Sequence, residues 1–236
     1  MAWNPRVPNE RRFNGKMTPG RPAQPTHVVC HITGTNSFTS VKREFLSSAS
    51  AHYVIDKDGV LFQFVEEDNR AWHAGIKSPV QAQYDQPGSG WRKLLYHFDW
   101  ASYPADTVWL DGNLNRVHSR PEATFAMKPD GSEWSDYQYF KTRWGDAAGP
   151  LNYTVSKKPN DYGVAIEILS VGAKRPSATA YTEAMYATLA ALVSEICGRY
   201  GIPQQKGRVV GHEDVNPVQR YGWDPNQGFD WARVWA

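Results

Sequence analysis

The sequence has no long hydrophobic run, only two cysteines and almost no net charge, and each shortage removes a class of protein. No stretch approaches the roughly 20 consecutive apolar residues that a membrane-spanning helix needs, so no transmembrane segment is expected. The opening residues MAWNPRVPNERRFNG hold no apolar core of the kind a secretory leader carries, so synthesis is expected to end in the cytoplasm. Cys30 and Cys197 are too few for a disulfide scaffold. The first lies in a strand-like run and the second in a helical one, and both read as buried thiols. A formal net charge of +2 is too weak to argue for nucleic acid, and no nucleic-acid partner is expected. No heptad pattern or oligomer stripe is visible, which leaves a monomer as the expectation.

What charge there is falls unevenly. Residues 1–26 carry Arg6, Arg11, Arg12, Lys16 and Arg21 against Glu10 alone. This basic N-terminal arm reads either as a solvated, loosely attached tail or as a contact for an anionic polymer or surface. The remaining residues, 27–236, read as one domain of a size that can bury a substantial core.

Patterning places elements along that domain. HVVCHI (27–32) is a short buried strand by its β-branched content. Residues 41–48 suit a short helix. AHYVIDKDGVLFQFV (51–65) reads as a hairpin turning across Asp56–Gly59, and WHAG (72–75) as a loop. YGVAIEIL (162–169) is again a buried strand. Residues 180–200 are the clearest helix, with Met185, Leu189, Leu192 and Ile196 on one stripe and Gly201 as terminator. RVVGHED (208–214) suggests a strand ending at His212, and FDWARVW (229–235) a short amphipathic helix. Strands separated by helical pieces predict an α/β fold, a single mixed central sheet flanked by helices.

The stretch from about 77 to 161 differs. It shows no clear period, many tyrosines, and Trp91, Trp100, Trp109, Trp134 and Trp144, with turn signals at Pro87-Gly88, Asp111-Gly112 and Asp130-Gly131. It reads as a long insertion. Its aromatic residues suit a satellite hydrophobic cluster or the wall of a groove.

Chemistry concentrates in three local motifs. His31 ends an apolar run in VVCHITG, His73 stands in AWHAGI, and His212 and Asp224 frame GHEDVNPVQRYGWDP. A catalytic zinc takes about three protein ligands and keeps one position open. Two imidazoles and a carboxylate, His31, His212 and Asp224, supply such a set. Each histidine taken alone reads more readily as a packed, hydrogen-bonded strand residue than as a ligand. Glu167 is an acid inside an apolar strand, a placement that calls for a partner or a task; the alternative is an edge residue facing solvent.

Taken together and in order, VVCHITG, SAHYVIDKDG, AWHAG, GVAIEIL, YTEAMYATLAALVSEICGRYGIP and GHEDVNP…DP resemble the N-acetylmuramoyl-L-alanine amidase family. This is the type shared by AmpD enzymes, T7-type phage lysozyme and peptidoglycan recognition proteins. The resemblance covers residues 27–75 and 162–235. It implies one Zn2+ on His31, His212 and Asp224, and hydrolysis of the amide between N-acetylmuramic acid and L-alanine. Glu167 matches the position of the general base. AmpD-like members carry a lysine eight residues past the second histidine, where this chain has Arg220. Arginine stays protonated and cannot shuttle a proton, though it can stabilise an oxyanion. The interval from His212 to the aspartate is also two residues longer here. Where T7-type enzymes carry a catalytic tyrosine this chain has Ala51, so Tyr53 reads as a strand residue.

Trp72 and His73 are the substrate-binding candidates; the alternatives are a core plug for Trp72 and, for His73, a loop anchor or a zinc ligand. Peptidoglycan or muropeptides are the implied partners. The aromatic insertion and basic arm lean toward a lytic, endolysin-like, antibacterial amidase that reaches the wall by holin- or secretion-assisted release. A cytoplasmic muropeptide-recycling amidase and a non-catalytic peptidoglycan-binding module are the alternatives.

Overall fold

The structure is a computed structural model. It describes residues 3–86, 88, 90–97, 102–137, 158–170, 181–220, 222–225 and 228–235. Trp100, Trp144 and Pro87 lie outside the described residues. Two compact units emerge, one of Met1–Gly75, Tyr153–Val215 and Gly222–Ala236, the other of Ile76–Asn152 and Asn216–Tyr221. The described strands are β1 (Met17–Thr18), β2 (His27–Ile32), β3 (Tyr53–Ile55), β4 (Leu61–Gln63), β5 (Arg70–Ala71), β6 (Leu94–Tyr96), β7 (Val108–Leu110), β8 (Phe125–Met127), β9 (Gly163–Ile168) and β10 (Val209–Gly211).

The first unit is built on a five-stranded mixed sheet in the order β10-β2-β9-β3-β4. The pairs β10–β2, β2–β9 and β9–β3 are parallel, and the β3–β4 hairpin is antiparallel. The central strands are continuous apolar runs because both faces are covered. On one face Val28, Cys30, Ile32, Val164, Ile166 and Ile168 pack against the long helix Glu183–Tyr200 through Met185, Leu189, Leu192, Val193 and Ile196. On the other, Val54 and Ala165 meet Val41 and Phe45 of the helix Phe38–Ser47.

Capping explains where these helices begin and end. The Thr182 hydroxyl accepts from the Met185 amide, and Gly201 closes the long helix in the left-handed region at φ +65°. Ser37 caps the first helix by accepting from the Ser40 amide. The hairpin turn rests on the Asp56 carboxylate, which accepts from the amides of Asp58 and Val60. Cys30 and Cys197 are buried free thiols; burial pushes both up, Cys197 to about 11.

The N-terminal residues are not the loosely attached tail that their charge suggested. Val7 is fully buried in the core beneath the long helix, the Asn4 amide donates to Gln63, and β1 pairs with β5. Three of the arm's four arginines are spent inside the unit. Arg12 donates to the carbonyls of Asn4 and Val7, Arg21 to those of Glu67, Asp161 and Gly163, and Arg6 pairs with Glu195. A second correction concerns residues 208–214. The strand ends at Gly211, because the Asp214 carboxylate takes the Gly211 amide, and His212 opens the short helix His212–Val215. The tail contributes only the single turn Trp231–Arg233.

The second unit holds a three-stranded antiparallel sheet in the order β6-β8-β7. Trp91, Leu94, Leu95, Leu110, Phe125, Trp134, Tyr137 and Val218 form its core. Two of the five tryptophans singled out from the sequence, Trp91 and Trp134, are thus packing residues. Among the described residues no helix is long and apolar enough to cross a membrane.

Candidate metal centre

Strand parity decides which side chains share the site. In β2 the residues Val28, Cys30 and Ile32 turn toward the long helix, so His31 turns to the opposite face. In β9 the same alternation sends Glu167 to that face, and the parallel register sets Glu167 directly beside His31. Glu167 is half-buried. His212 reaches the site from the first turn after β10, the neighbour of β2 on its other side.

Asp224 completes the cluster from the following loop. Its Oδ1 accepts from the Ile32 backbone amide at 2.9 Å, which anchors the carboxylate to β2. Its Oδ2 faces the two imidazoles, 2.9 Å from His212 Nδ1 and 3.8 Å from His31 Nδ1. The His31 and His212 rings lie 4.5 Å apart edge to face. One ligand atom from each of His31, His212 and Asp224 falls within 4.8 Å of the others, and all three residues are buried. Burial alone would push the Asp224 carboxyl up; the adjacent His212 and His31 outweigh it and hold the group well below the usual carboxylate range. A buried anion facing two imidazole nitrogens is a donor set that fits a zinc-type cation.

The AWHAG loop lies against this cluster. His73 Nδ1 is 3.0 Å from His31 Nε2, with the rings 5.1 Å apart and nearly perpendicular. The amides of His73 and Ala74 both donate to Asn160 Oδ1. Trp72 stands beside it with 44% of its surface exposed, its amide donating to Ser50 and its indole N–H to Thr18. Burial holds His73 well below the ordinary histidine value, with His31, His52 and His212 adding to the effect. His52, also fully buried, accepts the Ala165 amide through Nδ1 and serves the sheet.

The structure therefore brings His31, His212, Asp224, Glu167 and His73 into one unit. Arg220 is the last residue of the helix Pro217–Arg220 in the second unit, its amide donating to the Asn216 carbonyl. Tyr53 lies on the long-helix side of the sheet and donates to Glu67.

Several supporting residues escaped the sequence reading. Asn160 pins the loop. At Gly163 a Cβ would come within 3.2 Å of His73 Cε1, and at Gly211 within 2.7 Å of Pro225 Cδ and 3.3 Å of the Asp224 carbonyl. The glycines in YGVAIEIL and VVGHED were the available signals, since a glycine in a strand marks a close approach.

The family model described as N-acetylmuramoyl-L-alanine amidase matches residues 21–227. The 1,6-anhydro-N-acetylmuramyl-L-alanine amidase AmpD of Citrobacter freundii is 30% identical over 120 residues, 51% of this chain and 58% of that protein. The protein of the same name from Haemophilus influenzae is 37% identical over 87 residues, 36% of this chain and 42% of that one. These matches span about half the length of the curated relatives. A solved selenomethionine derivative of AmpD aligns over 98% of this chain and 94% of its own at 21% identity, with a TM-score of 0.47.

Proposed function

Since the chain belongs to the N-acetylmuramoyl-L-alanine amidase family, we propose that it hydrolyses the amide between the lactyl group of N-acetylmuramic acid and L-alanine. One observation carries the reading: His31, His212 and Asp224 place their ligand atoms within 4.8 Å of one another in a buried cluster. One Zn2+ held by these three residues would supply hydroxide near neutral pH, by lowering the pKa of water from about 16 toward about 7.

The chain's own residues divide the remaining work. The Ile32 amide fixes Asp224 so that one carboxylate oxygen is committed to β2 and the other to the imidazoles. Glu167, in register with His31 on the same face, is assigned the proton that leaves the attacking water and reaches the departing amide nitrogen. Water adds to the carbonyl carbon, the C–N bond breaks, and the L-alanine amine departs with that proton. Arg220 belongs to the second unit and is assigned no step. The exposed Trp72 offers an aromatic face to the sugar or peptide.

We place soluble 1,6-anhydro-muropeptides first as substrate, because that bond appears in the names of the curated relatives described above. Action on intact wall, the lytic reading, is second.

The test is mass analysis of products from intact peptidoglycan and from purified anhydro-muropeptide, each treated with zinc-loaded protein, His31→Ala and Glu167→Ala. The expected result is free peptide beginning with L-alanine, abolished in both variants and faster from the soluble substrate. Faster release from intact wall would reverse the order of the two substrates. No release from either, with one zinc bound, would replace the enzyme by a peptidoglycan-binding module.

A further inference from the structure

An imidazole that binds a metal through one nitrogen must carry its proton on the other, and something has to hold that proton in place. In His31 the two nitrogens look in different directions. Nδ1 faces Asp224 Oδ2 at 3.8 Å. Nε2 faces away, 3.0 Å from His73 Nδ1, with both rings buried. We propose that His73 is a positioning residue: it accepts the hydrogen bond from His31 Nε2–H and so fixes the tautomer and ring angle that present His31 Nδ1 to His212 and Asp224. The inference rests on the metal reading above and deepens it.

The scaffold builds this contact from three sides. Asn160 accepts from the His73 and Ala74 amides, so the loop backbone cannot carry the ring away. Gly163 leaves out the side chain that would crowd His73 Cε1 at 3.2 Å. His31 itself is clamped by β10 and β9 on either side of its strand. Proton bookkeeping then fixes His73. If its Nδ1 accepts, its own proton sits on Nε2, and that nitrogen is buried with no hydrogen-bond partner among the described residues. A buried polar group left unpaired costs about 1–3 kcal/mol. Packing alone would favour an apolar ring here, so the imidazole is explained by what it does for His31. The same geometry revises the assignment of the loop: His73 is turned inward, and Trp72 is left to meet substrate.

The experiment has two readouts, neither of them turnover. Zinc affinity is measured by chelator competition on the full chain, comparing the wild type with His73→Phe, His73→Gln and His31→Ala. The His31 tautomer is read in the metal-free protein at fixed pH from imidazole 15N shifts. The expected outcome is a single Nε2–H tautomer in the wild type and a mixture in His73→Phe. Zinc dissociation constants should rise about 10–100-fold in His73→Phe, as for other partners of metal-bound histidines. Gln, whose carbonyl oxygen can accept from His31, should recover much of that loss. Chemical unfolding should show His73→Phe no less stable than the wild type, which separates positioning from a merely structural role.

Unchanged zinc affinity in a folded His73→Phe, or an unchanged His31 tautomer, would overturn the proposal. Failure of the metal reading would look different: wild-type affinity no tighter than that of His31→Ala. The metal-free tautomer would then decide the His31–His73 contact by itself.

Discussion

The two faces of the central sheet are both buried, yet they are built to opposite specifications. Toward the long helix, β2 and β9 present Val28, Cys30, Ile32, Val164, Ile166 and Ile168, with no polar side chain among them. Away from it the same two strands present His31 and Glu167, joined by His212, Asp224 and His73. One face lowers the free energy of the fold by taking apolar surface out of water. The other holds groups whose burial is unfavourable unless each finds a partner. The separation teaches that stability and chemistry are carried by alternate residues of the same strands, so substitutions one position apart should have unlike effects.

The largest effect is expected where the site face loses its anion. Asp224→Asn keeps the acceptor for the Ile32 amide but removes the charge. Zinc affinity should fall by more than the roughly 10–100-fold seen for outer partners of metal ligands, and amidase activity with it. The urea midpoint of the metal-free protein should move far less. On the opposite face, Ile166→Ala empties a fully buried position and should cost about 2–5 kcal/mol in urea unfolding. The folded fraction should keep its zinc affinity. If Ile166→Ala weakened zinc binding as strongly as Asp224→Asn, the division between the faces would be wrong.

The site face was largely legible in the sequence. His31 and His212 each follow a short apolar run, and Asp224 follows within one motif, so the donor set could be named before any fold was known. What could not be named was anything acting through the backbone or through a missing atom. The Ile32 amide that anchors Asp224, the Asn160 side chain that pins the loop, and the clearances at Gly163 and Gly211 carry no residue-type signal for their task. Strand order was equally hidden: that β9 lies beside β2, with Glu167 opposite His31, is a property of the topology. The second unit stayed unreadable because its described strands are three residues long, too short for a period, and its core mixes aromatic with aliphatic residues. At the N-terminus composition misled, since charge counts do not show that Arg12 and Arg21 are turned to backbone carbonyls.

A third prediction uses pH to probe the polar content of the site-side parity. His27 begins β2 in the same parity as His31, and burial, helped by the nearby Arg208, lowers its pKa from 6.5 to about 4. Below pH 6.5 the unfolded chain takes up a proton that the folded protein refuses until near pH 4. Stability therefore falls as pH drops through that window and flattens beneath it. A shift of this size corresponds to about 3 kcal/mol. His52 and His73 are lowered in the same direction by burial and steepen the fall. Urea midpoints of the wild type should decline from pH 6.5 to 4, and those of His27→Gln should decline less. Parallel profiles would show that His27 is not buried neutral.

The smallest predicted effect tests a place where the faces should fail to separate. Gly211 shares the parity of Val209, which packs in the core beneath the long helix. A side chain there nonetheless points at the loop that delivers Asp224, with Pro225 Cδ at 2.7 Å and the Asp224 carbonyl at 3.3 Å. The Gly211 backbone lies outside the left-handed region, so Gly211→Ala meets no backbone objection and its effect comes from crowding alone. Overpacking of this kind costs about 1–3 kcal/mol. The strain has two exits. If the strand yields, stability falls and zinc affinity stays. If the loop yields, Asp224 moves, its hydrogen bond to the Ile32 amide loosens, and zinc affinity falls along with stability. The second is expected, because β10 is held by its full register with β2 whereas Asp224 is tied through single hydrogen bonds to Ile32, His212 and Glu213. Amide exchange at Ile32 distinguishes the two: faster exchange in Gly211→Ala places the movement in the ligand loop, and unchanged exchange places it in the strand.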